Sequence, residues 1–320
     1  MLVLDGKTIE GMVDPKEMVN MAEAAFRIFK RGSFTMPERY GVEKDGRTLL
    51  YMPCFTEEFF GTKILTLIPE NRQRGLPSID GMVILNDKDT GEQLAVMDGK
   101  SITAWRTAAV GAFGASRLAY AGAECVGIVG CGVQGMHQAV CICAVRGIKR
   151  VALYDKYKDL SLVESELKKL LPAGTECVKC ASAAELLRCS DIVVTTTFSN
   201  EPVLPDDAAL LKGKCYIAVG SYKPYMHELP DGLFSLADRV YVDLMHACEE
   251  SGDIITPLER GLLRKDDIHL IHELLEGGSA PQPGATAVFK TVGMALMDIY
   301  AAGFFYKKAL ELGIGQRAEL

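Results

Sequence analysis

The chain has 320 residues, enough for one large or two ordinary domains, and 48% of them are apolar, enough for a sizeable core. A net charge of −7 argues against nucleic acid or an anionic membrane as a main partner. No apolar run reaches the length of a membrane span, and no basic segment followed by a long apolar one opens the chain, so a cytoplasmic protein is expected. Ten cysteines are scattered through it. Cys177 and Cys180 make a C-x-x-C, and no second such pair completes a zinc site, so reduced core thiols and no metal are expected.

In chain order, Leu2–Leu4 reads as a short strand. Asp14 reads as the N-cap of a helix opening at Pro15, with Met18, Met21, Ala22, Ala25, Phe26 and Phe29 on its apolar face. Arg39 follows in a polar loop. Residues 48–52, 61–68, 81–85 and 93–97 are strand-like, and the stretch NDKDTG (86–91) reads as a hairpin turn. Residues 101–120 form an alanine-rich helix with Arg106 in its first turns. Six strands follow at 125–129, 150–154, 175–180, 191–196, 215–219 and 239–242, mostly separated by helical patterns. That alternation predicts an α/β fold with a doubly wound parallel sheet. Residues 246–284 read as mostly helical. From Thr286 a long apolar-faced helix is expected to run to about Leu312, leaving the sheet domain and returning to the N-terminal part.

The stretch Cys125–Gly135 carries the most chemistry. A short apolar run leads into Gly130, Gly132 and Gly135, spaced G-x-G-x-x-G; a helical pattern follows, and the next strand ends at Asp155. This is the order of a dinucleotide site. Gly130 allows the tight turn, Gly132 lets backbone N–H groups approach a pyrophosphate, and Gly135 lets helix and strand pack closely. The phosphates belong at the helix N-terminus, where unpaired donors and the dipole favour an anion. Ligands on such a sheet gather beyond the carboxyl ends of its strands, here Gly130, Asp155, Thr195–Thr197 and Gly220–Ser221. A carboxylate at Asp155 accepts from a ribose 2′-hydroxyl and repels a 2′-phosphate, which favours NAD(H). Lys156 beside it leaves NADP(H) as the alternative.

The segments GTKILTLIPEN (61–71), DGMVILND (80–87), SITAWRTAAVGA (101–112), GCGVQG (130–135), VGSYKPYMHEL (219–229), VYVDLMHACEESGDI (240–254) and VFKTVGMALMDI (288–299) occur in this order. In them, and over nearly its whole length, the chain resembles the ornithine cyclodeaminase/μ-crystallin family. The resemblance implies a Rossmann dinucleotide-binding domain, here 119–286, and a second α+β substrate and dimerisation domain, here 1–118 with 287–320. It implies homodimers and NAD(P)-linked chemistry at the C–N bond of a small amino or imino acid. It implies that Arg39, Lys63 and Arg106 hold the substrate carboxylate and that Met52 contacts substrate. Gly130, Gly132, Val133, Gln134, Gly135, Asp155, Thr195, Thr196, Thr197, Gly220 and Ser221 match the cofactor site. Gly135 stands where many members have alanine, a departure expected to be harmless. Ser221 stands where the cyclodeaminases carry an aspartate.

Arginine offers a carboxylate two parallel hydrogen bonds, so cations converging on one spot suit a small carboxylate substrate. Strand alternation sets Lys63 on one face with Leu65 and Leu67, so its ammonium is either snorkelling outward or paired inside. Beside a C=N acceptor it can stabilise developing charge or deliver a proton. The histidines have no clear motif partner; His269 and His272 would share a face if they lay on one helix. Ser221, a catalytic candidate alongside Lys63, cannot titrate as an aspartate does; its hydroxyl can hydrogen-bond an imine nitrogen or a water. The expected activity is therefore reduction of a C=N bond. Ornithine cyclodeamination and a non-catalytic dinucleotide-binding protein are the alternatives.

Overall fold

The structure, a computed structural model, describes residues 1–277 and 281–319. The chain divides into two compact units, Met1–Arg106 with Met294–Leu320, and Thr107–Gly293.

The first unit opens with β1 (Leu2–Leu4), α1 (Gly6–Met12) and α2 (Pro15–Arg31). Asp14 caps α2 as expected, accepting from the backbone N–H groups of Lys16 and Glu17, and Gly32 closes it in the left-handed conformation. An antiparallel meander follows: β2 (Tyr40–Lys44), β3 (Arg47–Phe55), β4 (Phe59–Leu67), β5 (Ile79–Asp87) and β6 (Gln93–Asp98). The sequence leaves β2 as loop because all five of its residues are exposed and offer no buried alternation to read. β1 pairs in parallel with β6, and the short strand Gln316–Arg317 flanks β1 on its other side. In this register Leu4, Met97, Val83, Lys63 and Met52 lie opposite one another across five strands, and all five are buried. A lysine thus occupies the middle of an apolar row.

The helix α3 (Gly99–Leu118) carries the chain into the second unit. There follow β7 (Cys125–Val129), α4 (Val133–Val145), β8 (Arg150–Tyr154), α5 (Leu160–Leu167), β9 (Glu176–Lys179), α6 (Ala183–Cys189), β10 (Ile192–Thr195), α7 (Ala208–Leu211) and β11 (Cys215–Ala218). Next come α8 (Asp231–Leu236), β12 (Arg239–Val242), α9 (Ala247–Glu250), α10 (Gly252–Glu259), β13 (Ile268–Leu270) and β14 (Ala287–Lys290); α11 (Ala295–Leu312) belongs to the first unit. The sheet is parallel throughout, in the order β13-β12-β14-β11-β10-β7-β8-β9. From β7 the chain winds outward to β8 and β9, then returns to β10 on the other side of β7. That reversal is the switch point where such sheets bind ligands.

Two readings from the sequence are corrected here. Among the described residues the sheet has eight strands instead of six. The helix expected from Thr286 begins at Ala295, because 287–290 form β14, wedged between β11 and β12. All four residues of β14 are buried, so its apolar run lacks alternation and merges with the helical period that follows. The two compact units meet along the chain at 106/107 and 293/294, while 118/119 and 286/287 are the domain limits that the resemblance implies. Residues 107–118 pack within the second unit: the Thr107 carbonyl accepts from buried Gln138, and Gly114 lies against the ring of Phe289. His269 lies on β13 and His272 in the 3-10 helix Ile271–Glu276 after it, so they do not share a helix.

Candidate functional site

In the first unit the site is built on three elements. β4 presents Lys63, α3 presents Arg106 two turns from its start, and α11 presents Asp298 in its first turn. Lys63 and Asp298 are at most 1% exposed, and Arg106 is 6% exposed. One carboxylate serves both cations: Lys63 Nζ lies 2.7 Å from Asp298 Oδ2, and Arg106 Nε donates to Asp298 Oδ1 at 2.9 Å. Small residues let the segment carrying Asp298 sit close to the sheet; a Cβ at Gly61 would press on Ile299.

Burial is the largest influence on Lys63 and lowers its ammonium from 10.5 to about 8. Asp298 pulls it back up, and Arg106 and then Arg39 push it down. Arg39, just ahead of β2, is therefore close enough for Lys63 to feel its charge. Met52 is Lys63's cross-strand partner, and Cys54, on the same face of β3, is buried with its thiol pushed up to about 12. The four residues expected to meet the substrate are thus neighbours. Lys63 is paired inside, and its partner Asp298 is absent from the sequence reading. A lone acid in an apolar helix, MALMDIYAAG, is the signal that could have found it: a carboxylate there needs a buried cation.

In the second unit the glycine loop has the geometry the motif requires. Gly130 has φ +91°, a region that disfavours any side chain. Among the described residues no side chain caps the N-terminus of α4, and nothing lies within 4 Å of where a Cβ on Gly132 would sit, so the start of the helix borders open space. That space fits a pyrophosphate. Gln134 adds a buried side-chain oxygen with no partner among the described residues, and Val133 beside it is exposed. At Gly135 a Cβ would overlap the carbonyl oxygen of Gly130. Glycine is the residue this close approach accommodates.

Asp155, one residue past β8, receives the backbone N–H of Cys131 at 2.8 Å and those of Tyr157 and Lys158 at 2.9 and 3.1 Å. It ties the glycine loop to the end of β8. Across β7, Thr196 Oγ1 donates to the Gly130 carbonyl at 2.6 Å. The Thr195–Thr197 and Gly220–Ser221 ends lie side by side on β10 and β11.

Ser221 departs from expectation. It is fully buried, its Oγ donates to the Met226 carbonyl at 2.6 Å, and it lies 2.8 Å from Ser251 Oγ. The hydroxyl is engaged internally, so the catalytic role expected of it is withdrawn; Ser221 fastens its loop. Among the described residues no group of three His, Cys, Asp or Glu side chains is placed to hold a metal ion, and all ten cysteines are free. No helix among them is long and apolar enough to cross a membrane.

Fold and site together define a class, the NAD(P)-dependent oxidoreductases built on a doubly wound sheet with an added α+β unit. The chain belongs to the ornithine cyclodeaminase/mu-crystallin family, whose model matches residues 2–313. It is 34% identical over 327 residues to a Delta(1)-pyrroline-2-carboxylate reductase of Bacillus cereus, covering 100% of both chains. Among solved structures it resembles Thermococcus litoralis Delta(1)-pyrroline-2-carboxylate reductase in complex with NADH and L-proline: TM-score 0.93, 32% identity, 99% of this chain and 100% of that one. It also resembles an archaeal alanine dehydrogenase dimer with bound NAD: TM-score 0.91, 28% identity, 100% of this chain and 99% of that one.

Proposed function

We propose that the protein is an NADH-dependent reductase of the C=N bond of a small α-imino acid, with 1-pyrroline-2-carboxylate as the first substrate to test. The observation that carries this reading is the buried Lys63–Asp298–Arg106 cluster with Arg39 beside it. Lys63 and Arg106 share one internal carboxylate, which leaves net positive charge for a substrate carboxylate, and the apolar row around Lys63 suits an aliphatic ring or chain. The relatives reported above, a pyrroline-2-carboxylate reductase and an alanine dehydrogenase, support the same chemistry.

NADH, when bound, supplies a hydride to the substrate's α-carbon. The loop Gly130–Gly135, with Val133 and Gln134, would hold its pyrophosphate. Asp155 would hold the adenosine ribose, and the backbone of Thr195–Thr197 and Gly220–Ser221 the far end. Arg106 and Arg39 clamp the carboxylate, which fixes the C=N carbon in one orientation. Lys63, whose ammonium titrates near 8, stabilises the developing charge and donates a proton to the imine nitrogen. Asp298 keeps Lys63 in place and raises its proton affinity, so it is a positioning residue. A homodimer is the assembly we propose, in keeping with the archaeal relative.

The test is the absorbance of reduced nicotinamide with purified protein and a panel: 1-pyrroline-2-carboxylate, 1-piperideine-2-carboxylate, pyruvate with ammonium, and ornithine. NADH loss with a cyclic imine is expected. Ammonia release from ornithine without net NADH loss would assign a cyclodeaminase. Binding without either reaction would assign a non-catalytic protein.

A further inference from the structure

Glu228 lies in the segment VGSYKPYMHEL (219–229), in the loop after β11, has been given no role so far, and is fully buried. Its carboxylate accepts from five donors. Oε1 receives the backbone N–H of Thr197 at 2.6 Å and the Thr197 hydroxyl at 2.7 Å. Oε2 receives the Thr195 hydroxyl at 3.0 Å and the backbone N–H groups of Gly220 at 2.7 Å and Ser221 at 3.2 Å. These donors come from the carboxyl ends of two adjacent strands, β10 and β11. Gly220 makes the approach feasible, because a Cβ there would overlap Thr197 and press on the Glu228 carboxyl carbon.

The residue is itself held from behind. Asp253 Oδ1 accepts the backbone N–H groups of Glu228 and Leu229 at 2.7 and 3.0 Å, and Asp253 Oδ2 lies 3.3 Å from Lys290 Nζ on β14. Asp253 and Lys290 are both fully buried. Such a cluster costs more in desolvation than an apolar replacement would, so geometry is what it supplies. Its output goes forward: Glu228 fixes Thr195 and Thr197, and Thr196 between them bonds to the Gly130 carbonyl.

The sheet order says which end of a dinucleotide this concerns. Asp155, at the end of β8, marks the adenosine side of β7; β10 and β11 lie on the opposite side. We propose that Glu228 is the positioning residue for the nicotinamide end, a single carboxylate that sets the Thr195–Thr197 and Gly220–Ser221 ends against each other. This rests on the dinucleotide reading and not on the identity of the imine.

The experiment compares NADH with AMP, which carries the adenosine half alone. Binding of each is measured by calorimetry to wild type, Glu228→Gln and Thr197→Val, with thermal unfolding alongside. Gln keeps the shape but turns an acceptor toward N–H donors as a donor, and the expected result is NADH affinity lowered about tenfold or more with AMP affinity unchanged. Thr197→Val removes one donor with little volume change and should give a smaller loss of the same selectivity, so the proposal stays testable if Glu228→Gln does not fold. Equal losses for both ligands, or none in either variant, would overturn it. A wild-type chain that binds NADH and shows this selectivity yet reduces no imine would overturn the reductase reading alone.

Discussion

Lys63 Nζ and Asp298 Oδ2 are 2.7 Å apart, both side chains are buried, and 235 positions of sequence separate them. Arg106 on the other carboxylate oxygen makes Asp298 the shared counter-ion of two buried cations. The arrangement fixes the sign of several measurable effects.

The first concerns pH. If Lys63 donates the proton, kcat/KM for imine reduction falls as pH rises through about 8. Asp298 raises the Lys63 proton affinity and Arg106 lowers it, so Asp298→Asn should move that limb to lower pH and Arg106→Leu to higher pH. Shifts in the same direction would remove Lys63 from the acid role. Stability has its own sign. Lys63 sits lower in the fold than its ordinary 10.5, so the unfolded chain binds more protons between about 8 and 10.5, and the Lys63 contribution to stability grows with pH across that window.

Arg106→Leu should also raise KM for the imino acid. Loss of a desolvated charged partner costs on the order of 2–5 kcal/mol, roughly thirtyfold or more in kcat/KM. NADH affinity, measured by fluorescence, should stay unchanged. A wild-type KM in this variant would move the carboxylate site elsewhere.

Lys63→Met leaves Asp298 with Arg106 as its remaining cation. Breaking a buried pair in this way costs about 3–5 kcal/mol. Urea unfolding should show that loss, and replacing the whole cluster (Lys63→Met, Asp298→Leu and Arg106→Leu together) should recover much of it while remaining inactive, whereas Lys63→Met with Asp298→Leu strands the buried Arg106 and should not. A triple variant no more stable than the Lys63→Met single one would mean that the three charges are not coupled as described.

Cofactor choice rests on Asp155. NADH should be preferred, and Asp155→Ala should narrow the preference while weakening both cofactors, since the carboxylate also holds the N–H groups of Cys131, Tyr157 and Lys158. A wild-type kcat/KM ~10-fold higher with NADPH would contradict the assignment of Asp155 to a 2′-hydroxyl.

Gly135→Ala should cost about 1–3 kcal/mol by overpacking, because the new Cβ meets the backbone at Gly130. NADH affinity and melting temperature should fall together. Unchanged values would mean that α4 can retreat freely.

Much of the nucleotide half was legible in the sequence. Strand–glycine loop–helix–strand–acid is a local order, its spacing is fixed by backbone geometry, and the loop around Gly130 takes the conformation that order requires. The Asp14 cap and the turn at 86–91 were readable for the same reason, since each is decided within a few residues. Only the tertiary structure decided the rest. β14 has no alternation because both faces of a central parallel strand are buried, so its sequence could not distinguish strand from helix. Lys63 could point outward or inward until α11 brought Asp298 to it. Two strand ends close around the Glu228 carboxylate, and Ser221 was a catalytic candidate until Met226 and Ser251 took its hydroxyl. Pairing between residues far apart in sequence leaves no periodic trace; what stabilises a buried charge is its partner, and the fold alone selects the partner.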